Sequence, residues 1–83
     1  MDLNKIGIFI SEKRKQKGLT QQELAEKLNL SNKTISKWEC GKGLPEVSLM
    51  IPLCKELNIT VNELLSGERL NMENYNENSE KNI

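Results

Sequence analysis

Twice in this chain a threonine stands three residues ahead of a glutamate, at the head of an apolar helical stretch: Thr20-Gln21-Gln22-Glu23 and Thr60-Val61-Asn62-Glu63. At that spacing each side chain accepts from the other's backbone amide, so two of the donors orphaned at a helix start are satisfied reciprocally. The pair of capping boxes commits both segments to helix, and the remaining punctuation agrees. Ile6, Phe9, Ile10 and Lys13 fall at i, i+3, i+4 and i+7 and predict a helix from about Asn4 to Lys17, stopped by a left-handed Gly18. Lys13 is the odd member of that face; its stem packs while its amine reaches water. The first capping box opens a helix from Gln21 to Leu28 with Leu24, Ala25 and Leu28 inward. Asn29-Leu30-Ser31 turns the chain, and Ser31 is an N-cap for a third helix, Asn32 to Glu39, anchored by Ile35 and Trp38. Gly41, Gly43 and Pro45 make a loop. A fourth helix spans about Glu46 to Leu57, with Leu49, Met50, Leu53, Cys54 and Leu57 at helical spacing. Pro52 inside it predicts a kink, or a late start near Ser48. The second capping box opens a last short helix through Leu65, before Gly67. No segment alternates as a strand does. The expected class is all-α, a five-helix domain.

Eighty-three residues allow one small domain, or a smaller one with a tail. Of the 30 hydrophobic residues, 26 lie in 1–65. Beyond Gly67 the chain is polar and Asn-rich, too poor in apolar groups to offset its ordering entropy. The expectation is an ordered domain over 1–66 and a linker, frayed helix or tail over 67–83. No apolar run nears membrane-span length, and no cleavage site follows the patch Ile6 to Ile10, so neither a membrane span nor a signal peptide is expected. The chain has no histidine, which removes His-dependent triads, His-ligated zinc and His-based acid–base chemistry. Cys40 and Cys54 lack metal or redox spacing and read as reduced thiols, which points to the cytoplasm. With no nucleophile elbow, metal cluster or phosphate-cradling glycine loop, no enzyme, cofactor or metal is implied.

Twelve basic and twelve acidic residues cancel, yet they are not mixed. Residues 1–45 hold nine basic against five acidic groups, net +4, and residues 46–83 hold three against seven, net −4. One half can therefore present a positive face. Within it, the two short central helices and their tight turn have helix-turn-helix geometry, whose second helix is free to enter a major groove. Small Ala25 lets that helix cross closely. Its outward positions, Ser31, Asn32, Lys33, Thr34, Ser36 and Lys37, are donors and acceptors suited to base edges and phosphates, with no acid among them. Gln21 and Gln22 flank backbone amides at the positive end of the preceding helix, a place for phosphate.

The string Arg14-Lys15-Gln16-Lys17-Gly18-Leu19-Thr20-Gln21-Gln22-Glu23-Leu24-Ala25-Glu26-Lys27-Leu28 is similar to the Cro and phage-repressor type of helix-turn-helix, the xenobiotic-response-element (XRE) family. So are Ser31, Thr34-Ile35-Ser36-Lys37-Trp38-Glu39, Gly41-Lys42 and the stretch Leu57 to Leu65. The resemblance covers nearly all of 6–66. It implies a helix-turn-helix over 21–40, a phosphate contact from Gln21, and base reading by Asn32, Lys33 and Lys37 with Ser31 and Thr34 assisting. It also implies a buried or half-buried Arg14–Glu39 pair tying the first helix to the recognition helix. Cys40 departs from the family's usual Asn or basic residue, leaving the backbone amides of Gly41 and Lys42 to serve a phosphate there. Asn29 stands where Gly is frequent and takes the left-handed turn at modest cost.

Some of these residues have plainer roles. Lys13, Lys15 and Lys17 read as a solvated face, Trp38 as core, Cys54 as a buried apolar group. The combined reading is a sequence-specific binder of double-stranded DNA and a transcriptional regulator, a repressor, dimeric on an inverted repeat through Val61, Leu64 and Leu65. An interaction module, such as an antitoxin whose tail over 67–83 folds on a protein partner, is the alternative.

Overall fold

The computed structural model describes residues 1–69. Five helices follow in order: α1 Leu3–Gln16, α2 Gln21–Lys27, α3 Asn32–Glu39, α4 Val47–Leu57 and α5 Val61–Ser66. The expectation of a polar tail concerns residues that lie, from 70 onward, outside the described ones.

Each boundary has a local cause. Asp2 caps α1 by accepting from the Lys5 amide at 3.1 Å, a cap not anticipated from sequence. Gly18 stands at φ 72° just past its end. Both capping boxes form in full. Thr20 and Thr60 each accept from the amide three residues on at 3.0 Å, and Glu23 and Glu63 each accept from the threonine amide, at 2.9 and 2.8 Å. Asn29 and Asn58 both adopt the left-handed conformation, at φ 57° and 56°. They end the α2 and α4 segments without glycine, as asparagine can.

Two expectations need correction. Ser31 occupies the N-cap position of α3 without a side-chain cap bond; its hydroxyl lies 3.4 Å from that of Thr34 instead. The fourth helix does not start late. The carbonyl of Glu46 accepts from both Leu49 and Met50, at 2.8 and 3.1 Å, which starts the helix at Val47 and leaves Pro52 in its interior. Pro52 faces solvent, so its ring is tolerated, at the loss of the amide that would bond the Ser48 carbonyl.

The core is built from every helix: Ile6, Phe9 and Ile10; Leu24, Ala25 and Leu28; Ile35 and Trp38; Leu53, Cys54 and Leu57; and Leu64, with Ile59 from the α4–α5 turn. Helix α1 is the hub. It packs on α3, α4 and α5, whereas α3 packs chiefly on α1 and α2 and leaves Ser31, Asn32, Lys33 and Lys37 exposed. Burial pushes the Cys54 thiol above its ordinary pKa, with the Glu63 charge adding to the shift, so Cys54 is an apolar packing group. Among the described residues no helix is long and apolar enough to cross a membrane.

Candidate nucleic-acid interface

On the open side of α3, Ser31, Asn32, Lys33 and Lys37 are exposed, and Thr34 and Ser36 are half-buried beside them. Ile35 and Trp38, inward on the same helix, are 0% and 4% exposed. The structure therefore leaves all six sequence-predicted α3 residues at least partly accessible, with Ser31, Asn32, Lys33 and Lys37 exposed. The stem of Lys37 is steered by the loop that follows. A side chain at Gly43 would meet the Lys37 Cε at 2.9 Å, so the bare glycine gives that stem a track to lie on. Lys42 is exposed on the same loop.

The backbone amides of this loop do not serve as expected. The Gly41 amide donates to the Trp38 carbonyl at 3.1 Å, and the Lys42 amide to that of Lys37 at 3.0 Å. Both close the C-terminal end of α3, as orphan carbonyls there require. Only the side chain of Lys42 remains for a phosphate. At the start of α2 the capping box takes the amides of Thr20 and Glu23, and Gln22 is exposed beside those of Gln21 and Gln22.

The single acid of α3 is turned inward and neutralised, although the exposed Glu46 lines a cavity with Thr34 and Lys37. Arg14 donates from Nε to one Glu39 carboxylate oxygen at 2.7 Å and from Nη2 to the other at 3.0 Å. Its Nη1 donates to the Leu19 carbonyl at 2.8 Å. Gln21 adds a fourth bond, Nε2 to Glu39 at 3.0 Å. The side chains of Arg14 and Glu39 are 10% and 6% exposed. No buried side-chain polar atom among the described residues lacks a partner. Burial pushes the Glu39 carboxyl up, but the bonds from Arg14 and Gln21 and the Arg14 charge outweigh it, and the group titrates below its ordinary value. Arg14 is raised in turn, chiefly by its bonds to Glu39.

Sequence reasoning anticipated the Arg14–Glu39 pair through the family resemblance but not the share of Gln21 in it. Residues 18 apart in sequence, on two different helices, meet only through the tertiary crossing of α2 and α3. Also missed was Gly7, where an added Cβ would stand 2.5 Å from the Trp38 carbonyl oxygen. The only available signal was a glycine inside a helix, on the same face as Ile10 and Arg14.

The arrangement can place a neutral-to-positive, hydrogen-bonding helix edge against a polyanion while its carboxylate is held away. A family model described as helix-turn-helix matches residues 10–64. The chain is 46% identical over 61 residues, 74% of its length, to the HTH-type transcriptional activator BcrR of Enterococcus faecalis, of which it covers 30%. It spans about a third to a half of the length of several curated relatives it matches. Among solved structures it is similar to the clp gene regulator ClgR from C. glutamicum, with a TM-score of 0.70 at 27% identity, covering 81% of this chain and 86% of that one. It is equally similar to the restriction-modification controller protein C.AhdI from Aeromonas hydrophila, with a TM-score of 0.69 at 32% identity and coverage of 76% and 96%.

Proposed function

The chain belongs to the helix-turn-helix family, and on that premise we propose that it regulates transcription by binding double-stranded DNA sequence-specifically. It acts as a regulator and not as an enzyme. The observation that carries this reading is the α3 edge, where Asn32, Lys33 and Lys37 are exposed while Glu39 is turned in against Arg14. In the major groove, Asn32, Lys33 and Lys37 contact base edges, with Ser31, Thr34 and Ser36 assisting. Gln21, Gln22 and Lys42 hold phosphates and set the register. Gln21 retains one amide hydrogen for this after donating the other to Glu39. The place of action on this reading is the cytoplasm.

A single eight-residue helix touches too few base pairs to specify a genomic site, so two copies bind half-sites about 34 Å apart on an inverted repeat. The dimer surface differs from the one expected. Leu64 is 0% exposed and belongs to the core, because α5 is seated on α1 and α4 through that side chain. An accessible apolar face is offered by Val47 and Ile51 of α4, 84% and 59% exposed, with half-buried Val61 of α5 lining the same groove as Ile51. Between the two helices lies a groove of about 420 Å3 lined by Ile51, Cys54, Ile59 and Val61, with Lys55 and Asn58 among its walls. A second copy covers this face. A dimer seated over a promoter excludes polymerase, and repression is the regulatory outcome.

Selection of bound duplexes from a randomised pool tests the reading. The expected result is an enriched inverted repeat. On it, Asn32→Ala or Lys33→Ala costs about 1–3 kcal/mol and relaxes preference at one position, whereas Gln21→Ala weakens all sequences alike. Enrichment of nothing by a folded protein would sink the reading. Transcription from a template carrying the selected site then separates repression from activation.

A further inference from the structure

On the reading that α3 enters the major groove, we propose that Gly7, a residue remote from DNA, is a positioning residue that sets how the recognition helix is tilted. Gly7 lies in the interior of α1 and is buried against the end of α3. A Cβ at this position would stand 2.5 Å from the Trp38 carbonyl oxygen, 2.6 Å from that of Glu39 and 2.9 Å from the Glu39 carbonyl carbon. All three are backbone atoms, so no side chain can swing aside. Ordinary contact begins at 3.4 Å, and a methyl group at Gly7 is thus 0.9 Å too close to the nearest of them.

Gly7 and Arg14 are seven residues apart on one face of α1, and both meet Glu39. Gly7 meets its backbone, and Arg14 holds its carboxylate at 2.7 Å. The end of α3 is therefore gripped at two heights. Any spacer added at Gly7 must move either α1 or α3. Helix α1 is held on its other sides by the core contacts with α4 and α5. The Gly67 backbone also lies against it, close enough that a Cβ there would stand 3.1 Å from the Lys5 carbonyl carbon and 3.2 Å from the Ile6 nitrogen. Helix α3 has an open face, and it is the element that gives way.

The motion is a pivot. The start of α3 is tied to α2 by the short turn, in which the Leu30 amide donates to the Ala25 carbonyl at 2.8 Å. An eight-residue helix is about 12 Å long, so 0.9 Å at its far end tilts it by about 4°. Base hydrogen bonds hold only over a range of about 0.5 Å. Lys37, near the displaced end, loses its geometry, while Asn32, at the pivot, keeps it.

The experiment compares base preference, position by position, for the parent, Gly7→Ala, Lys37→Ala and Asn32→Ala, by selection from the same randomised pool. The expected result is that Gly7→Ala loses preference at the positions lost in Lys37→Ala and keeps those lost in Asn32→Ala. The ratio of selected-site to scrambled-duplex affinity falls about tenfold, and scrambled-duplex affinity itself stays within about twofold. A loss of folded protein would lower both affinities by one factor and leave the profile unchanged. That outcome, or a profile like the parent's, overturns the proposal. Alanine raises helix propensity at this position, so a weakened α1 cannot be the cause. If the variant melts below the assay temperature, the same profile is taken in trimethylamine N-oxide, which favours burial. If the parent itself enriches nothing, the DNA reading falls, and a crystal structure of Gly7→Ala decides the positioning claim. The end of α3 displaced from α1 upholds it, and α3 in place with α1 bent overturns it.

Discussion

Glu39 is the residue on which the proposed interface turns, because its charge would repel DNA if it faced outward. Taking it inward costs desolvation, and the three donors from Arg14 and Gln21 offset that cost. Breaking such a pair is worse than replacing it. Glu39→Ala leaves a buried guanidinium and is expected to cost about 3–5 kcal/mol in denaturant unfolding. The double variant Arg14→Met with Glu39→Leu should cost clearly less than the two single variants summed, because no charge is then stranded. The pH dependence follows in sign. Glu39 titrates below its ordinary value, so its stabilisation is complete above the ordinary glutamate range and is lost as pH falls through the folded value. The melting temperature of the parent should drop as pH falls below the ordinary glutamate range, and Glu39→Gln, lacking the titration, should give a flatter curve there.

At the scale of the elements, the two capping boxes are the parts whose local chemistry and structure agree most fully. Thr60→Ala removes the cap of the six-residue α5 and should cost about 1 kcal/mol, read as a lower melting temperature. Helix α4 carries the opposite case. Pro52 breaks the amide ladder of an otherwise continuous helix and its side chain is exposed, so nothing in the packing requires it. Pro52→Ala should stabilise the protein by about 1–3 kcal/mol, and a higher denaturant midpoint would confirm it. The helix boundaries were legible to within a residue or two, since caps and left-handed stops act through neighbours in sequence. The bounds of α4 were legible to one residue, and only the late start near Ser48, offered as one way to accommodate Pro52, does not occur, because the Glu46 carbonyl accepts two amides and starts the helix at Val47. Ser31 holds the N-cap position as expected, but its side chain makes no cap bond, since its hydroxyl lies beside that of Thr34.

For the whole molecule, this packing leaves two kinds of group exposed on different elements. Lys33, Lys37 and Lys42 are exposed on α3 and the loop after it, and Val47 and Ile51 are exposed on α4, with Val61 and Leu65 of α5 half-buried. Ile51→Glu should leave the helical circular dichroism intact while lowering the sedimenting mass of any dimer and the cooperativity of binding to an inverted repeat. Unchanged cooperativity would remove this face as the dimer surface. The sequence by itself determined the class, the five helices, the outward residues of α3 and the inward Ile35 and Trp38. All of these follow from periodicity and capping, which are local. It could not determine that Leu64 is sealed in the core while Ile51 is bare, since both are apolar residues on helical faces and only the crossing of α4, α5 and α1 distinguishes them. Nor could it determine that the Gly41 and Lys42 amides close α3, that Gln21 shares Glu39 with Arg14, or that Gly7 admits the carbonyls of Trp38 and Glu39. Those facts depend on distances between elements far apart in the chain, and such distances exist only once the helices have packed.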